Sequence, residues 1–198
     1  MANSSILQLA LLLLLSAAVS SKGFDSLRFH QRKTNQRSVS LLNKMIGKIP
    51  PECLQERMDF KIPQEIVQPK PYQKENATMV IHKMLQHIFL LFSSKNASPG
   101  VDKTIIETFL RGIYQQMVHL EMALKEEMDQ ANSTWGSEES ILHLNNYYQG
   151  IMNYLKNKKY CSCAWKIVQG EIRQNFIFLF KWTEFLKNWR TWRVHFRN

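Results

Sequence analysis

Apolar side chains recur three or four residues apart along most of the chain, and this spacing places them on one face of an α-helix. The stripes predict five helices, over about residues 26–46, 80–92, 102–128 and 137–157 and from about residue 164 onward. No stretch alternates apolar and polar residues as a half-buried strand does. The pattern therefore predicts an all-α fold.

The last stripe has two clearly different sides. Its apolar residues after Ala164 are Ile167, Val168, Ile172, Phe176, Leu179 and Phe180. The opposite side carries the polar residues Lys166, Gln169, Arg173, Gln174 and Lys181. One side therefore belongs in a hydrophobic core, and the other is free to meet a partner.

A proline-rich segment separates the first two predicted helices. Its prolines are Pro50, Pro51, Pro63, Pro69 and Pro71. They forbid a long helix, so Gly47 to Lys74 is expected to be an extended connection. A connection of this length inside one domain usually serves function or topology. It fits an up-up-down-down bundle of five helices, whose first two parallel helices need a long crossover loop.

The N-terminus has the features of a secretory leader. Residues Ile6 to Val19 are almost all apolar, and small residues follow at Ser20 and Ser21, as leader cleavage requires. The run is shorter than the roughly 20 apolar residues that a transmembrane helix needs. We therefore expect a signal peptide over residues 1–21 and a secreted mature chain. A retained anchor is the alternative, and amino-terminal sequencing distinguishes the two.

The chain contains three cysteines, Cys53, Cys161 and Cys163. Three are too few for a disulfide-dense scaffold, so core packing must hold the fold and one bridge can assist it. Cys53 can pair with either downstream cysteine, which leaves one thiol over. A metal or redox site is a weak alternative, because a C-x-C pair lacks the second pair that zinc sites need.

The composition disfavours catalysis and nucleic-acid binding. The 6 histidines lack the i, i+4 pairing around a glutamate that a helical zinc protease needs, and no glycine-rich phosphate loop is present. A net charge of +10 permits nucleic-acid binding, but secretion and the lack of a recognition motif argue against it. No cofactor is expected. A secreted helical-bundle lipid- or glycan-binding protein is the alternative, and a lipid carrier would have a large hollow core.

Several motifs, in order along the chain, resemble those of the type I interferons. The matching segments are CLQERMDF at 53–60, IPQE at 62–65, HKMLQHIFLLF at 82–92, LHL at 142–144 and CAW at 163–165. The resemblance is strongest to the beta type, with the epsilon and kappa types as the nearest alternatives. It implies a monomeric cytokine that binds a two-chain receptor and induces antiviral, antiproliferative and immunomodulatory signalling through receptor-associated tyrosine kinases. It also implies that Cys53 pairs with Cys163.

The resemblance further implies two receptor-binding surfaces. The higher-affinity chain would meet Leu54 and Arg57 in the first loop and the exposed face of the last helix at Gln169, Gly170, Arg173, Gln174, Ile177 and Phe178. The lower-affinity chain would meet Phe89, Leu90, Ser94, Ile105, Leu110, Tyr114 and Asn145. Gln169 and Asn145 stand where the family usually has basic residues. The alternative is that the apolar residues of these surfaces pack in the core, because an apolar residue at helical spacing lies in a core more often than in an interface.

Three Asn-x-Ser/Thr sequons follow the leader, at Asn76, Asn96 and Asn132. All three fall at predicted helix ends or in loops, where glycosylation of a secreted chain occurs. Pro99 directly follows the sequon of Asn96 and makes it the poorest acceptor.

The chain is expected to contain one helical domain, residues 22–188, followed by a basic aromatic tail, residues 189–198. The tail alternates aromatic and basic residues without an acid. Such a segment can bind sulfated glycans or anionic lipid headgroups. We hypothesise that it retains the protein at cell surfaces. The alternative is a frayed tail that only aids solubility.

Overall fold

The computed structural model describes residues 31–68, 77–94, 97–130 and 138–195, and all regular structure in these ranges is helical. The long helices are α1, described over residues 31–46, α3 (Ala77–Phe92), α4 (Lys103–Gln130), α5 (Glu138–Asn157) and α6 (Ser162–His195). A 3₁₀ helix (Pro51–Glu56) and the short helix α2 (Gln64–Val67) lie between α1 and α3. The prediction of an all-α fold with five long helices is confirmed.

Two contacts show that α1 and α6 run in opposite directions. The Lys166 Nζ donates to the Ile46 carbonyl oxygen at 2.6 Å, near the end of α1 and the start of α6. At the other ends of the two helices, the Arg32 guanidinium lies 3.7 Å from the Glu184 carboxylate.

Helix α3 runs parallel to α1 and antiparallel to α4. The Phe92 ring at the end of α3 lies 5.5 Å from the Trp165 ring at the start of α6 and 4.9 Å from the Phe109 ring near the start of α4. Earlier in α3, His82 contacts Glu121 late in α4. Helices α1 and α3 therefore point one way and α4 and α6 the other, which is the up-up-down-down arrangement.

The crossover runs along the bundle and is attached near both of its ends. Cys53 is disulfide-bonded to Cys163 at the start of α6, and the Trp182 indole Nε1 donates to the Ile66 carbonyl oxygen at 2.9 Å. Because an α-helix rises about 1.5 Å per residue, Cys163 and Trp182 are about 28 Å apart along α6. Between these attachments the Phe60 ring packs edge-on against Tyr154, with centroids 5.2 Å apart.

The core between α3, α4 and α6 is filled by aromatic rings. Phe109 contacts both Phe92 and Phe176, and Phe92 contacts Trp165. Each of these side chains is at most 1% exposed. Helix α1 approaches α4 closely, since a Cβ at Gly112 would lie 3.3 Å from the Thr34 Cγ2.

The end of α6 extends further than the predicted domain boundary at residue 188. The helix continues through His195, so most of the predicted tail has a helical backbone. None of the helices in the described ranges combines the length and apolar character needed to cross a bilayer.

Candidate functional site

The disulfide end of the molecule holds the 3₁₀ helix firmly against the α5–α6 turn. Besides the Cys53–Cys163 bond, the Tyr154 hydroxyl donates to the Glu56 carbonyl oxygen at 2.8 Å. Burial raises the pKa of Tyr154 to about 12, so this hydroxyl stays protonated at neutral pH. The Lys158 Nζ lies 2.6 Å from the Glu56 carboxylate. Of the two pairings that the sequence leaves open, the structure thus contains Cys53–Cys163, and Cys161 is a free, exposed thiol.

This attachment places an exposed part of the crossover beside an exposed strip of α6. Leu54 is 42% exposed, Ile177 is 37% exposed, and the side chain of Arg57 is also exposed. On α6 the predicted positions 170, 173, 174 and 177 follow the spacing of one helical turn, so they share one side of the helix. We call the following residues the α6 surface: Leu54, Arg57, Gly170, Arg173, Gln174 and Ile177.

The expectation of an exposed face was wrong at Gln169 and Phe178, which are 1% and 5% exposed. Each lies at an edge of the strip, about 90° around the helix from its centre. The Gln169 Nε2 donates to the Ser98 Oγ at 3.0 Å in the loop between α3 and α4, so that loop covers it. Phe178 packs in the hydrophobic core, and the Lys181 Nζ lies 5.4 Å from its ring centroid.

A second group of predicted residues lies on α3, α4 and α5. Leu90 is 63% exposed and Tyr114 is 56% exposed, and Ser94 and Asn145 are exposed as well. We call the following residues the α3–α5 surface: Phe89, Leu90, Ser94, Ile105, Leu110, Tyr114 and Asn145. Three of its members, Phe89, Ile105 and Leu110, are half-buried and pack against the core. The Phe89 and Tyr114 rings, with centroids 6.3 Å apart, join α3 to α4 within this surface.

Sequence reasoning missed His87, which connects α3 to α5 at this surface. Its Nε2 lies 2.8 Å from the Asn145 Oδ1, and its ring stacks on Tyr148 with centroids 4.6 Å apart. Burial lowers the pKa of His87, and the neighbouring Lys83 lowers it further, whereas the bond to Asn145 opposes the shift. A neutral imidazole with its proton on Nε2 satisfies this bond as the donor. No sequence signal links His87 to Asn145, because the two are 58 residues apart.

The sequence of this chain matches the family model of the interferon alpha/beta domain over residues 27–186. The chain belongs to the type I interferon family. It is 42% identical to interferon beta of Homo sapiens over 188 residues, which cover 95% of this chain and 100% of that protein. It is 40% identical to interferon beta of Tachyglossus aculeatus aculeatus, with 94% of this chain and 100% of that protein covered.

A subtype other than beta and a solved structure are also similar to this interferon. Interferon epsilon of Sus scrofa is 36% identical, with 92% of this chain and 95% of that protein covered. The structure of zebrafish interferon 2 aligns with a TM-score of 0.64 at 24% identity and covers 75% of this chain and 96% of that chain. The structural likeness supports the helical cytokine fold. As a member of this family, the interferon is a cytokine and not an enzyme.

A buried polar network connects α5 to α6 inside the interferon. The Tyr147 hydroxyl donates to the Glu171 carboxylate at 2.5 Å, and the Asn175 Nδ2 donates to the Tyr147 oxygen at 2.8 Å. The Tyr148 hydroxyl donates to the Asn175 Oδ1 at 2.6 Å. Burial raises the pKa of Glu171, and the bond from Tyr147 only partly offsets this. The network ties α5, which carries Asn145, to α6.

An open groove of about 370 Å³ lies where the crossover meets α5. In its wall the His143 Nδ1 lies 2.7 Å from the Glu65 carboxylate, which connects α5 to α2. Within the described ranges no three His, Cys, Asp or Glu side chains are arranged to hold a metal ion.

Several predictions lie outside what the structure describes. The signal peptide over residues 1–21 and the sequons at Asn76, Asn96 and Asn132 fall outside the described residues. The residues of the tail are described as helical backbone through His195, and their side chains are outside the description.

Proposed function

We propose that this interferon is a secreted cytokine that binds a two-chain cell-surface receptor. In this proposal the higher-affinity chain binds the α6 surface, and the lower-affinity chain binds the α3–α5 surface. Bringing the chains together activates their associated tyrosine kinases and induces antiviral, antiproliferative and immunomodulatory signalling.

The observation that carries this proposal is the attachment of the crossover to α6. The Cys53–Cys163 bond holds Leu54 and Arg57 next to the exposed side of α6, so residues far apart in sequence form one continuous surface. An apolar anchor beside a charged donor is the composition typical of an interface hot spot. Leu54 would supply the first and Arg57 the second.

The positions of the two surfaces also support simultaneous binding of two receptor chains. Helix α6 packs on α3 and α5 through its buried side, so its exposed strip points away from them. Leu90 and Tyr114 are exposed on the outer sides of α3 and α4. One receptor chain can therefore occupy each surface without displacing the other.

The test applies purified mature protein to cells of the source species, with and without an antibody that blocks the type I interferon receptor. We expect induction of antiviral genes that the antibody abolishes. Induction that persists under complete receptor blockade, or no induction by folded protein, would contradict the proposal. A variant with Leu90→Ala and Tyr114→Ala should lose signalling while it retains binding to the higher-affinity chain.

We also propose that the leader over residues 1–21 is removed and that Asn76 and Asn132 are glycosylated, with Asn96 the poorest acceptor. The sequence of the leader and the positions of the sequons support this. Amino-terminal sequencing of the secreted protein should begin at Lys22. Peptide mapping with and without glycosidase treatment should identify the occupied asparagines.

The basic aromatic tail, residues 189–198, is proposed to retain the interferon on sulfated glycans or anionic cell surfaces. Its charge without acids and its aromatic residues support this. A chain that ends at Asn188 should elute from a heparin column at lower salt than the full-length chain. Elution at the same salt would contradict the proposal.

A further inference from the structure

Four exposed lysines lie at the disulfide end of the bundle, away from the tail. Lys44 and Lys48 flank the end of α1, and Lys156 and Lys159 flank the end of α5. We call these four residues the lysine cluster. Helix α6 begins at this end and has 34 residues, so the tail lies about 40–50 Å away at its other end.

Contacts place both pairs of lysines near the start of α6. The Lys166 Nζ donates to the Ile46 carbonyl oxygen at 2.6 Å, and Ile46 lies between Lys44 and Lys48 in the chain. The turn that contains Lys159 leads directly into α6, and the Trp165 N–H donates to the Cys161 carbonyl oxygen at 3.1 Å. The ends of α1 and α5 therefore both lie near the first turns of α6, at one end of the bundle.

Most carboxylates near this end form ion pairs with lysines that do not belong to the cluster. Glu56 pairs with Lys158, and Asp59 pairs with Lys61, each at 2.6 Å. Helix α1 contributes no acid over residues 31–46, and Glu52 is the acid that stays exposed on the 3₁₀ helix. Among the residues that the structure describes, no carboxylate lies within 4.0 Å of any member of the lysine cluster. No described carboxylate is therefore paired with the cluster.

The backbone of the α5–α6 turn is held in an uncommon conformation. Lys159 has φ 51° and Tyr160 has φ 55°, the left-handed region that residues other than glycine rarely occupy. The Tyr160 N–H donates to the Leu155 carbonyl oxygen at 2.8 Å and stabilises the turn. Such conformations concentrate at functional sites, and here one fixes Lys159 at the start of α6.

We infer that the lysine cluster is a binding site for sulfated glycans. Several ammonium groups without neighbouring carboxylates attract a chain of sulfates more strongly than they attract single anions, because the charges act together. Lysines at the C-terminal end of a helix also interact favourably with the helix dipole. This is the alternative explanation for the lysines, and it would stabilise the fold without creating a binding site. The inference does not depend on receptor binding, and it concerns a different part of the molecule from the tail.

The test compares two variants of the full-length chain that lose the same charge. The cluster variant carries K44Q, K48Q, K156Q and K159Q. The matched control carries K33Q, R37Q, K125Q and K181Q, which are exposed positions toward the opposite end of the bundle. Far-UV circular dichroism and thermal unfolding establish that both variants are folded.

We expect the cluster variant to elute from heparin at clearly lower salt than the control, and to bind a defined heparin oligosaccharide about tenfold more weakly than the wild type at physiological ionic strength. The control should stay near the wild type. Equal losses in the two variants would show that only net charge matters and would overturn the inference.

Two further measurements separate the cluster from the tail and from lipid binding. The chain is ended at Asn188 in the wild type and in the cluster variant. The losses of heparin binding from the truncation and from the cluster substitutions should add, since sites this far apart act independently. Vesicles of phosphatidylserine and phosphatidylcholine test the lipid alternative. Loss of vesicle binding by the cluster variant with unchanged heparin binding would also overturn the inference.

Discussion

The indole of Trp182 donates a hydrogen bond to the backbone carbonyl oxygen of Ile66 across 2.9 Å, and both residues are fully buried. This bond attaches the far end of the crossover to α6, as the Cys53–Cys163 bond attaches the near end. The segment that carries Leu54 and Arg57 is therefore held by α6 at two separate points.

Replacing Trp182 with phenylalanine should destabilise the fold more than the same change at Trp165. Both tryptophans are buried, so both variants lose part of a packed ring. Trp182→Phe also leaves the Ile66 carbonyl oxygen without its donor, which costs about 1–3 kcal/mol. The Trp165 Nε1 has no acceptor among the described residues, so its variant loses packing alone. Urea unfolding measures both changes, and equal losses would show that the bond to Ile66 adds no stability.

Removing the disulfide should lower the free energy of unfolding by about 2–5 kcal/mol, because the bond closes a loop with a sequence separation of 110. The double variant C53S/C163S avoids new free thiols, and C161S is the control that should leave stability unchanged. Peptide mapping of the wild type should find Cys53 linked to Cys163. Folded, active protein in which Cys53 is unlinked would contradict the role of the disulfide.

Apolar spacing predicted the helices well, because burial of one side of a helix leaves a repeat that is visible in the sequence. The fourth helix was predicted over about residues 137–157 and is Glu138–Asn157. The prolines correctly predicted an interrupted crossover. The continuation of α6 to His195 was missed, because residues 189–198 were treated as a separate tail. The apolar spacing of three or four residues in fact continues at Trp182, Phe185, Leu186, Trp189 and Trp192.

The surfaces were less predictable, because they depend on contacts between residues far apart in the chain. Gln169 is covered through Ser98, which lies 71 residues earlier. His87 meets Asn145 across 58 residues. A single helix period assigns a residue to a side of its own helix, but it does not show which loop covers the edge of that side. Ile177 was assigned correctly as exposed, since it lies near the middle of the exposed side of α6 and away from its edges.

Gly150→Ala should stabilise the protein by roughly 0.5–1 kcal/mol, because alanine restricts the unfolded chain and favours a helix. A Cβ at Gly150, inside α5, would meet nothing within 4 Å. Gly112→Ala is the matched comparison, since a Cβ there would lie 3.3 Å from the Thr34 Cγ2. Thr34 is β-branched and its side chain rotates little within a helix, so the gain at Gly112 should be smaller or reversed. Thermal unfolding measures both, and equal gains would contradict a tight contact between α1 and α4.

His87 should make the fold less stable as the pH falls below about 6.5, the usual pKa of histidine. Burial lowers the pKa of His87 in the folded state, so the unfolded chain binds the proton more readily. The stability that the neutral ring provides is therefore complete above the unfolded pKa and is lost as the pH falls through the folded pKa. His87→Gln removes this titration. Unfolding free energies from pH 8 to pH 5 should fall more steeply for the wild type, and parallel curves would exclude the effect.

Arg57→Ala should weaken binding to the higher-affinity receptor chain by about 1–3 kcal/mol, because Arg57 belongs to the proposed α6 surface and can make a charge-assisted bond. Arg37→Ala removes another exposed arginine, on α1, and should leave the affinity unchanged. Gln169→Ala should instead lower stability, since that side chain is buried against Ser98. Surface plasmon resonance with each receptor chain measures the affinities. If Arg57→Ala binds both chains like the wild type, the higher-affinity site lies elsewhere on the molecule.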